Sequence, residues 1–341
     1  MWYVGLDLHL RLSTFCVLDE NGKIVLVRTV NGSWDKVLEA LGQIKKPFAI
    51  CFEATTGYGY LYDRLKKMAA QVRVAHPGRL RLIFASKRKN DRVDAQKLAK
   101  LLYLDAVPPV HVPSSQVRSW RGLIEQRQKL LEERTRVKNA LRALLRGMGM
   151  AAPKGLWTGR GLAWLRSVAF ADEGDSLRRE LLAEEVESLN DRMKRIEKVL
   201  GKVAVSHPGV GLMMTIPGVG IRTAEAVMAY IDDPARFGSI KAVGCYFGMV
   251  PCQDSSAEKN RFGHITHDGP STVRRLVTEA AWQAVRRSPE IRGFFVRIQK
   301  GDPDRKKIAI VATAHYLLRV MLAMLKSGEV WRAGPSSSAA A

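Results

Sequence analysis

The stretch KNDRVDAQKLAK, residues 89–100, sets Asp91 and Asp94 three residues apart. On a helix these positions share a face, so the two carboxylates point the same way. The surround is basic: eight Lys or Arg residues lie between Arg79 and Lys100, with no acid besides these two. Convergent carboxylates in such a setting suit a divalent cation held where a polyanion lies. The plainer reading is an N-capped helix with solvated charges, Asp91 being a good N-cap before an Ala/Leu-rich run. Two further acids bear on the choice. Asp7 stands in VGLDLHL, and Glu53 ends the apolar run PFAICFEA. Taken singly, Asp7 is a strand-end turn residue and Glu53 a helix cap. Taken together, in this order, the four acids read as one constellation.

The elements that must position them follow from periodicity. WYVGLDL, STFCVLD and KIVLVRTV are β-rich, with ENGK as a hairpin turn between the last two. WDKVLEALGQI reads as a helix, PFAICFEA as a buried strand, YGYLYDRLKKMA as an amphipathic helix and QVRVAHP as another strand. Three antiparallel strands followed by alternating helix and strand make an α/β layout in the ribonuclease H-like order. In such a sheet the first and fourth strands are neighbours. Their ends would join Asp7 to Glu53, and the helix carrying Asp91 and Asp94 would close over them. Four carboxylates suit Mg²⁺, which takes oxygen ligands. Two such ions about 3.5–4 Å apart stabilise the entering and leaving oxygens of a phosphodiester displacement.

Beyond residue 112 the pattern becomes helical. Residues 115–148 form one long helical stretch, and residues 176–204 another. In the second, Leu182, Val186, Leu189, Met193, Ile196, Leu200 and Val203 alternate at spacings of four and three, a heptad pattern that predicts helix pairing within or between chains. TIPGVGIRTAEAVMAYI reads as a helix-hairpin-helix, whose Gly218 and Gly220 would turn backbone N–H groups towards phosphate. Helices follow over 270–288, 290–299 and 303–326. The apolar run 308–325 carries His315 and Arg319 and is expected as a buried core helix, not a membrane span.

Between these helices, PCQDSSAEKNRFGHITHDGPSTVRRL, residues 251–276, is polar and loop-like. Ser255 and Ser256 are hydroxyls that would need a base, a metal or a depressed pKa to act as nucleophiles. His264 and His267 are candidate helpers. The net charge of +22 over 341 residues, spread along the chain, points to a folded nucleic-acid-binding protein. Arg88, Lys89, Arg92, Arg222, Lys259, Arg261, Arg274 and Arg275, with Gly218 and Gly220, are the candidate nucleic-acid contacts. Four cysteines at spacings that fit neither zinc nor a disulfide scaffold suggest a reducing cytoplasm. The N-terminal segment is not a signal peptide, and the SSSAAA tail reads as disordered.

With GLDLH, FEATTGYG, KNDRVDAQKLA, IPGVGIRTA and GMVPCQDSSAEKNRFGHITHDGPSTVRRLV in order, the chain resembles the DEDD transposases of bacterial insertion sequences. The group is insertion sequence one-hundred-ten, which includes the pilin-gene invertases, and the resemblance covers about residues 3–325. It implies a RuvC-like domain over 1–112, long helices and a coiled coil over 113–205, and a C-terminal transposase domain with the helix-hairpin-helix over 206–328. A tail, 329–341, follows. It implies Mg²⁺-dependent recombination, with Mn²⁺ as a substitute. Asp7, Glu53, Asp91 and Asp94 would be the metal ligands and Ser256 the nucleophile. The family serine usually precedes a glycine; here Ala257 follows Ser256, which keeps Ser255 as second choice. Implied partners are donor and target double-stranded DNA, a structured non-coding guide RNA, and further copies of the chain in a dimer or tetramer joined by the coiled coil. The implied location is the bacterial cytoplasm, at the nucleoid, with no membrane.

Three other functions remain on the residues alone. A RuvC-like nuclease would hydrolyse branched DNA with water and leave Ser256 idle. An actin-like or sugar-kinase-like phosphotransferase would use VGLDLHLRLS as a phosphate loop, but no second Gly-rich loop accompanies it. A non-catalytic DNA-architectural protein would not need four acids.

Overall fold

The computed structural model describes residues 1–83, 90–256 and 259–332, with side chains described outside 254–260. The strands are β1 (Trp2–Asp7), β2 (Leu12–Leu18), β3 (Ile24–Asn31), β4 (Phe48–Glu53), β5 (Gln71–Ala75), β6 (Pro251–Ser256) and β7 (Lys259–Ile265). The first helices are α1 (Trp34–Gly42), α2 (Tyr58–Leu65), α3 (Pro77–Ile83) and α4 (Asp91–Tyr103). Then come α5 (Ser115–Gly147), α6 (Gly159–Ser167), α7 (Glu173–Val205), α8 (Pro208–Met214) and α9 (Ile221–Ile231). The last are α10 (Ala242–Tyr246), α11 (Ser271–Arg287), α12 (Pro289–Gln299) and α13 (Lys306–Ser327). The chain divides into two compact units, Met1–Arg118 and Ser119–Ala341.

In the first unit β1–β5 form one mixed sheet in the order β3-β2-β1-β4-β5. β1 pairs antiparallel with β2 and parallel with β4, Gly5 opposite Cys51 and Leu6 opposite Phe52. Side chains alternate across a strand, and the two faces differ in bulk. Val4, Leu6, Phe15, Val17, Phe48, Ile50 and Phe52 pack against Val37, Leu41, Leu61 and Leu65 of α1 and α2. The other face is small: Ala49, Cys51 and Ala75 meet Leu98 and Leu102 of α4, and Cys16 meets Ala95 and Ala99. Gly5 completes that face. A Cβ placed there would lie 2.1 Å from the carbonyl oxygen of Ala95 and 2.2 Å from the nitrogen of Ala99. Small side chains on both surfaces therefore let α4 settle directly on β1.

In the second unit α5 and α7, each 33 residues long, run antiparallel. Arg127 pairs with Glu197 at 2.7 Å, Arg134 donates to Asn190 at 2.9 Å, and Trp120 stacks on His207 at 4.4 Å. The predicted heptad residues Val186, Leu189 and Met193 are buried with Leu130, Val137, Leu141 and Leu145 of α5, and Leu200 joins the cluster below them. The heptad face is thus covered by the same chain. α8 and α9 form the predicted helical hairpin. α13 runs through the core, with Ala309, Ile310, Ala314, Leu317, Leu318, Met321 and Leu322 buried.

Candidate active site

Asp7 is the last residue of β1 and Glu53 the last of β4. Both strands are parallel neighbours, so the two acids stand side by side at one sheet edge. Parity puts them on the small-residue face: Tyr3, Gly5 and Asp7 alternate with Val4 and Leu6, and Ala49, Cys51 and Glu53 with Ile50 and Phe52. α4 lies over that face and brings its N-terminus to the same edge. Its N-cap is Asn90, whose side chain accepts from the Arg92 backbone N–H at 3.0 Å. Asp91 is therefore the first helical residue rather than the cap expected from sequence. Asn caps as well as Asp, and its use leaves the Asp91 carboxylate free.

Ligand atoms of Asp7, His9 and Asp91 all lie within 4.8 Å of one another. His9 Nε2 is 3.5 Å from Asp7 Oδ2. The imidazole is positioned through its backbone: the His9 carbonyl accepts from Ser13 Oγ at 3.1 Å and from Trp34 Nε1 at 3.4 Å. Asp94 sits one turn into α4 and accepts from Lys97 at 3.4 Å. Burial pushes the Asp7 carboxyl above the usual carboxylate range; His9 opposes this, and the charges of Asp91, Asp94 and Glu53 add to it. All four acids thus share one field. Half-buried carboxylates that repel one another and have one neighbouring imidazole are a donor set that fits a divalent cation.

The second predicted site is a hairpin, not a loop. β6 and β7 pair antiparallel, with Ser255 opposite Asn260 and Ser256 opposite Lys259. Its described side chains are mostly exposed: Phe262 has 66% of its surface free, and Cys252, Gly263 and His264 are exposed. A strand with no buried face shows no apolar alternation, which hid it in the sequence. Two-stranded ribbons are marginal alone, and this one is tied at its base. Arg274 donates to the carbonyls of Phe247 (3.3 Å), Gly269 (3.1 Å) and Asp268. Gly248, at φ +62°, lies against the Asp268 backbone, where a Cβ would come within 2.2 Å of the nitrogen. The side chains of Ser255, Ser256 and Lys259 lie outside the described ones, as do residues Arg88 and Lys89 altogether.

A family model described as "Transposase", for the DEDD domain of IS110 elements, matches residues 4–150 and so contains all four acids. A second, described as "Transposase IS116/IS110/IS902 family", matches residues 210–296 and contains the hairpin. The chain belongs to the IS110 transposase family. The transposase for insertion sequence element IS1111A of Coxiella burnetii is 24% identical over 97% of this chain and 91% of its own length. That for IS1328 of Yersinia enterocolitica is 24% identical over 84% of this chain and 86% of its own. Membership makes the chain a DNA-processing enzyme with DNA as substrate, of a DEDD type suited to divalent metal.

The predicted nucleic-acid contacts of this transposase divide into two groups. Arg92 is exposed in the first turn of α4, beside Asp91, and Arg261 is exposed on β7. Gly220 is exposed at the start of α9, where a Cβ would meet nothing. The other described ones have structural partners. Gly218, at φ +92°, abuts α11; a Cβ there would lie 2.4 Å from the Ala284 nitrogen. Arg222 pairs with buried Glu225 at 2.8 Å, and Arg275 with Glu132 and Glu279 at 3.0 and 3.2 Å. Arg274 is the hairpin's anchor. Residue reasoning overlooked His9, Gly5 and Arg274 in these roles. The D-x-H spacing in GLDLH was the available signal for His9; Gly5 and Arg274 gave none, because their partners are distant in sequence.

Proposed function

We propose that this chain is an RNA-guided DNA recombinase that exchanges strands through a serine–DNA intermediate. The observation that carries the reading is the convergence of Asp7, Glu53, Asp91 and Asp94 at one edge of the sheet, with His9 beside them. A sheet with β1 between β2 and β4 supports a ribonuclease H-like, RuvC-like unit. Asp7, His9 and Asp91 would hold a divalent cation, Mg²⁺ or Mn²⁺, with Glu53 and Asp94 beside them as acids for a second. Bound there, such ions would stabilise negative charge at the scissile phosphate. His9 opposes the upward shift of the Asp7 carboxyl, and Arg92 would offset the acids' repulsion of the DNA backbone.

The serine step would use the hairpin, and it rests on the family resemblance. Ser256 Oγ attacks phosphorus as its proton passes to a base, the bond to the 3′-oxygen breaks, and that oxygen leaves as a 3′-hydroxyl. A 3′-hydroxyl from the second duplex then displaces the serine, which regains its proton. Each step breaks one phosphoester bond and makes one, so no ATP is consumed. His264 and His267 are the imidazoles on the same segment. Two duplexes require a synapse, supplied by a dimer or tetramer. Because the heptad face of α7 is covered within the chain, the copies would meet elsewhere. The guide RNA rests on the family resemblance and on the charge of +22.

The test is a denaturing gel for covalent protein–DNA adducts, with purified protein, RNA from the element's flank, donor and target DNA, and Mg²⁺. An adduct in wild type that is absent from Ser256→Ala and Asp94→Ala supports the proposal. Nicking without adduct, retained by Ser256→Ala and lost in Asp94→Ala, would instead mark a hydrolytic nuclease.

A further inference from the structure

Glu279, Trp282, Gln283 and Arg286 follow one another on α11 at i, i+3, i+4 and i+7, a single helical face. With Gly218 of the helical hairpin and Lys306 at the start of α13 they line a cavity of about 690 Å³. Its walls are chemically varied. The half-buried indole of Trp282 tilts against Phe295 at 5.9 Å, and Lys306 Nζ stands 5.6 Å from its centroid. Glu279 is held by Arg275 at 3.2 Å. Gln283 and Arg286 are exposed, and their side chains make no hydrogen bond or ion pair among the described residues.

This wall excludes most ligand classes. It is too charged for an apolar small molecule, and one carboxylate among cations is no metal site. An aromatic plane with an amide and a carboxylate beside it, and two cations beyond, matches a nucleotide. The ring stacks a base, the amide and carboxylate meet its polar edge, and the cations meet its phosphate. An intact duplex offers no free base face, so the ligand is unpaired. We propose that this pocket takes one unpaired nucleotide of a DNA or RNA strand, stacked on Trp282 with its phosphate between Arg286 and Lys306. Base stacking on an indole is stronger than one exposed cation–π contact, so the base displaces Lys306 from the ring and frees it for the phosphate. The proposal rests on the nucleic-acid chemistry of the family and not on the acids or the serine.

Fluorescence anisotropy tests it on the full chain with a dye-labelled single strand of DNA about ten nucleotides long, the same sequence as RNA, and a blunt duplex. Trp282→Ala should weaken single-strand binding roughly 5- to 100-fold while duplex binding changes less than about twofold. Arg286→Gln should lower the slope of log affinity against log salt by about one. The DNA and RNA arms identify which strand is preferred. A bromouridine-substituted strand should cross-link to the peptide holding Trp282. Single-strand affinity unchanged in Arg286→Gln and Gln283→Ala, both surface changes that leave the core intact, overturns the proposal. An equal loss for single strand and duplex overturns it too, because it marks a general charge effect. Asp94→Ala should retain this binding while losing strand cleavage, so the two readings fail separately.

Discussion

The acid edge and the serine hairpin are built in opposite ways. The acids stand on regular elements whose contact is fixed over many residues: two parallel strand ends and a helix seated on Gly5, Ala95 and Ala99. The hairpin is exposed at Cys252 and at Arg261–His264 and is fixed where Arg274 and Gly248 hold its base. A cluster of like charges needs a rigid frame, because each carboxylate would otherwise turn away from its neighbours. A nucleophile that must reach a phosphate and later release it is better carried on a ribbon with a fixed root. On the proposed mechanism the comparison teaches a division of labour, rigidity at the acids and reach at the serine.

The comparison can be broken most severely at the acids. Asp7→Asn and Asp91→Asn should each lower strand cleavage about 10³-fold or more in a gel assay, since both would remove a ligand from the cation site. On the hairpin side, Arg274→Gln should leave the rest of the unit folded but raise hydrogen exchange in residues 251–265 by one to two orders of magnitude, about 1–3 kcal/mol of local stability. If exchange there is unchanged, the hairpin does not depend on its root.

Packing comes next. Gly5→Ala should destabilise the first unit by about 1–3 kcal/mol in denaturant melts, because the new methyl meets helix backbone rather than a yielding side chain. Gly122→Ala, inside α5 where the added methyl meets nothing, should instead leave stability unchanged or raise it by up to about 1 kcal/mol. Equal effects at the two positions would refute the seated-helix account.

Titration gives a smaller effect with a definite sign. The Asp7 carboxyl binds its proton more tightly in the folded than in the unfolded chain. The folded state therefore holds more protons as pH rises through the ordinary carboxylate range, and stability falls with it. Asp7→Asn should raise the melting temperature at neutral pH without divalent cation, and lose that advantage under acid. Cleavage by wild type should fall on acidification sooner than for an unshifted carboxylate. The mildest contrast is in the thiols. Burial pushes Cys16 up to about 11 and Cys51 up to about 12, so alkylation at neutral pH should reach exposed Cys245 and Cys252 first.

Much of the acid edge was legible in the sequence because its signals are local. Apolar alternation gave the strands of the first unit, and strand order gave the neighbours of Asp7. The cap was misplaced by one residue because Asn90 and Asp91 are equally good caps. His9 was passed over although it stands two residues from Asp7. What could not be read were contacts between distant segments: Gly5 against α4, Gly218 against α11, and Arg274 against three carbonyls. The hairpin was hidden for a different reason, since an exposed ribbon has no hydrophobic period. The heptads predicted pairing but not its partner; α5 lies dozens of residues upstream, and only folding shows that it covers α7.

The most direct test of the central claim is anomalous scattering from crystals soaked in Mn²⁺. The account predicts a peak bounded by Asp7, His9 and Asp91, lost in Asp7→Asn crystals. An ordered site with no peak at saturating Mn²⁺, or a peak that survives Asp7→Asn, would contradict it.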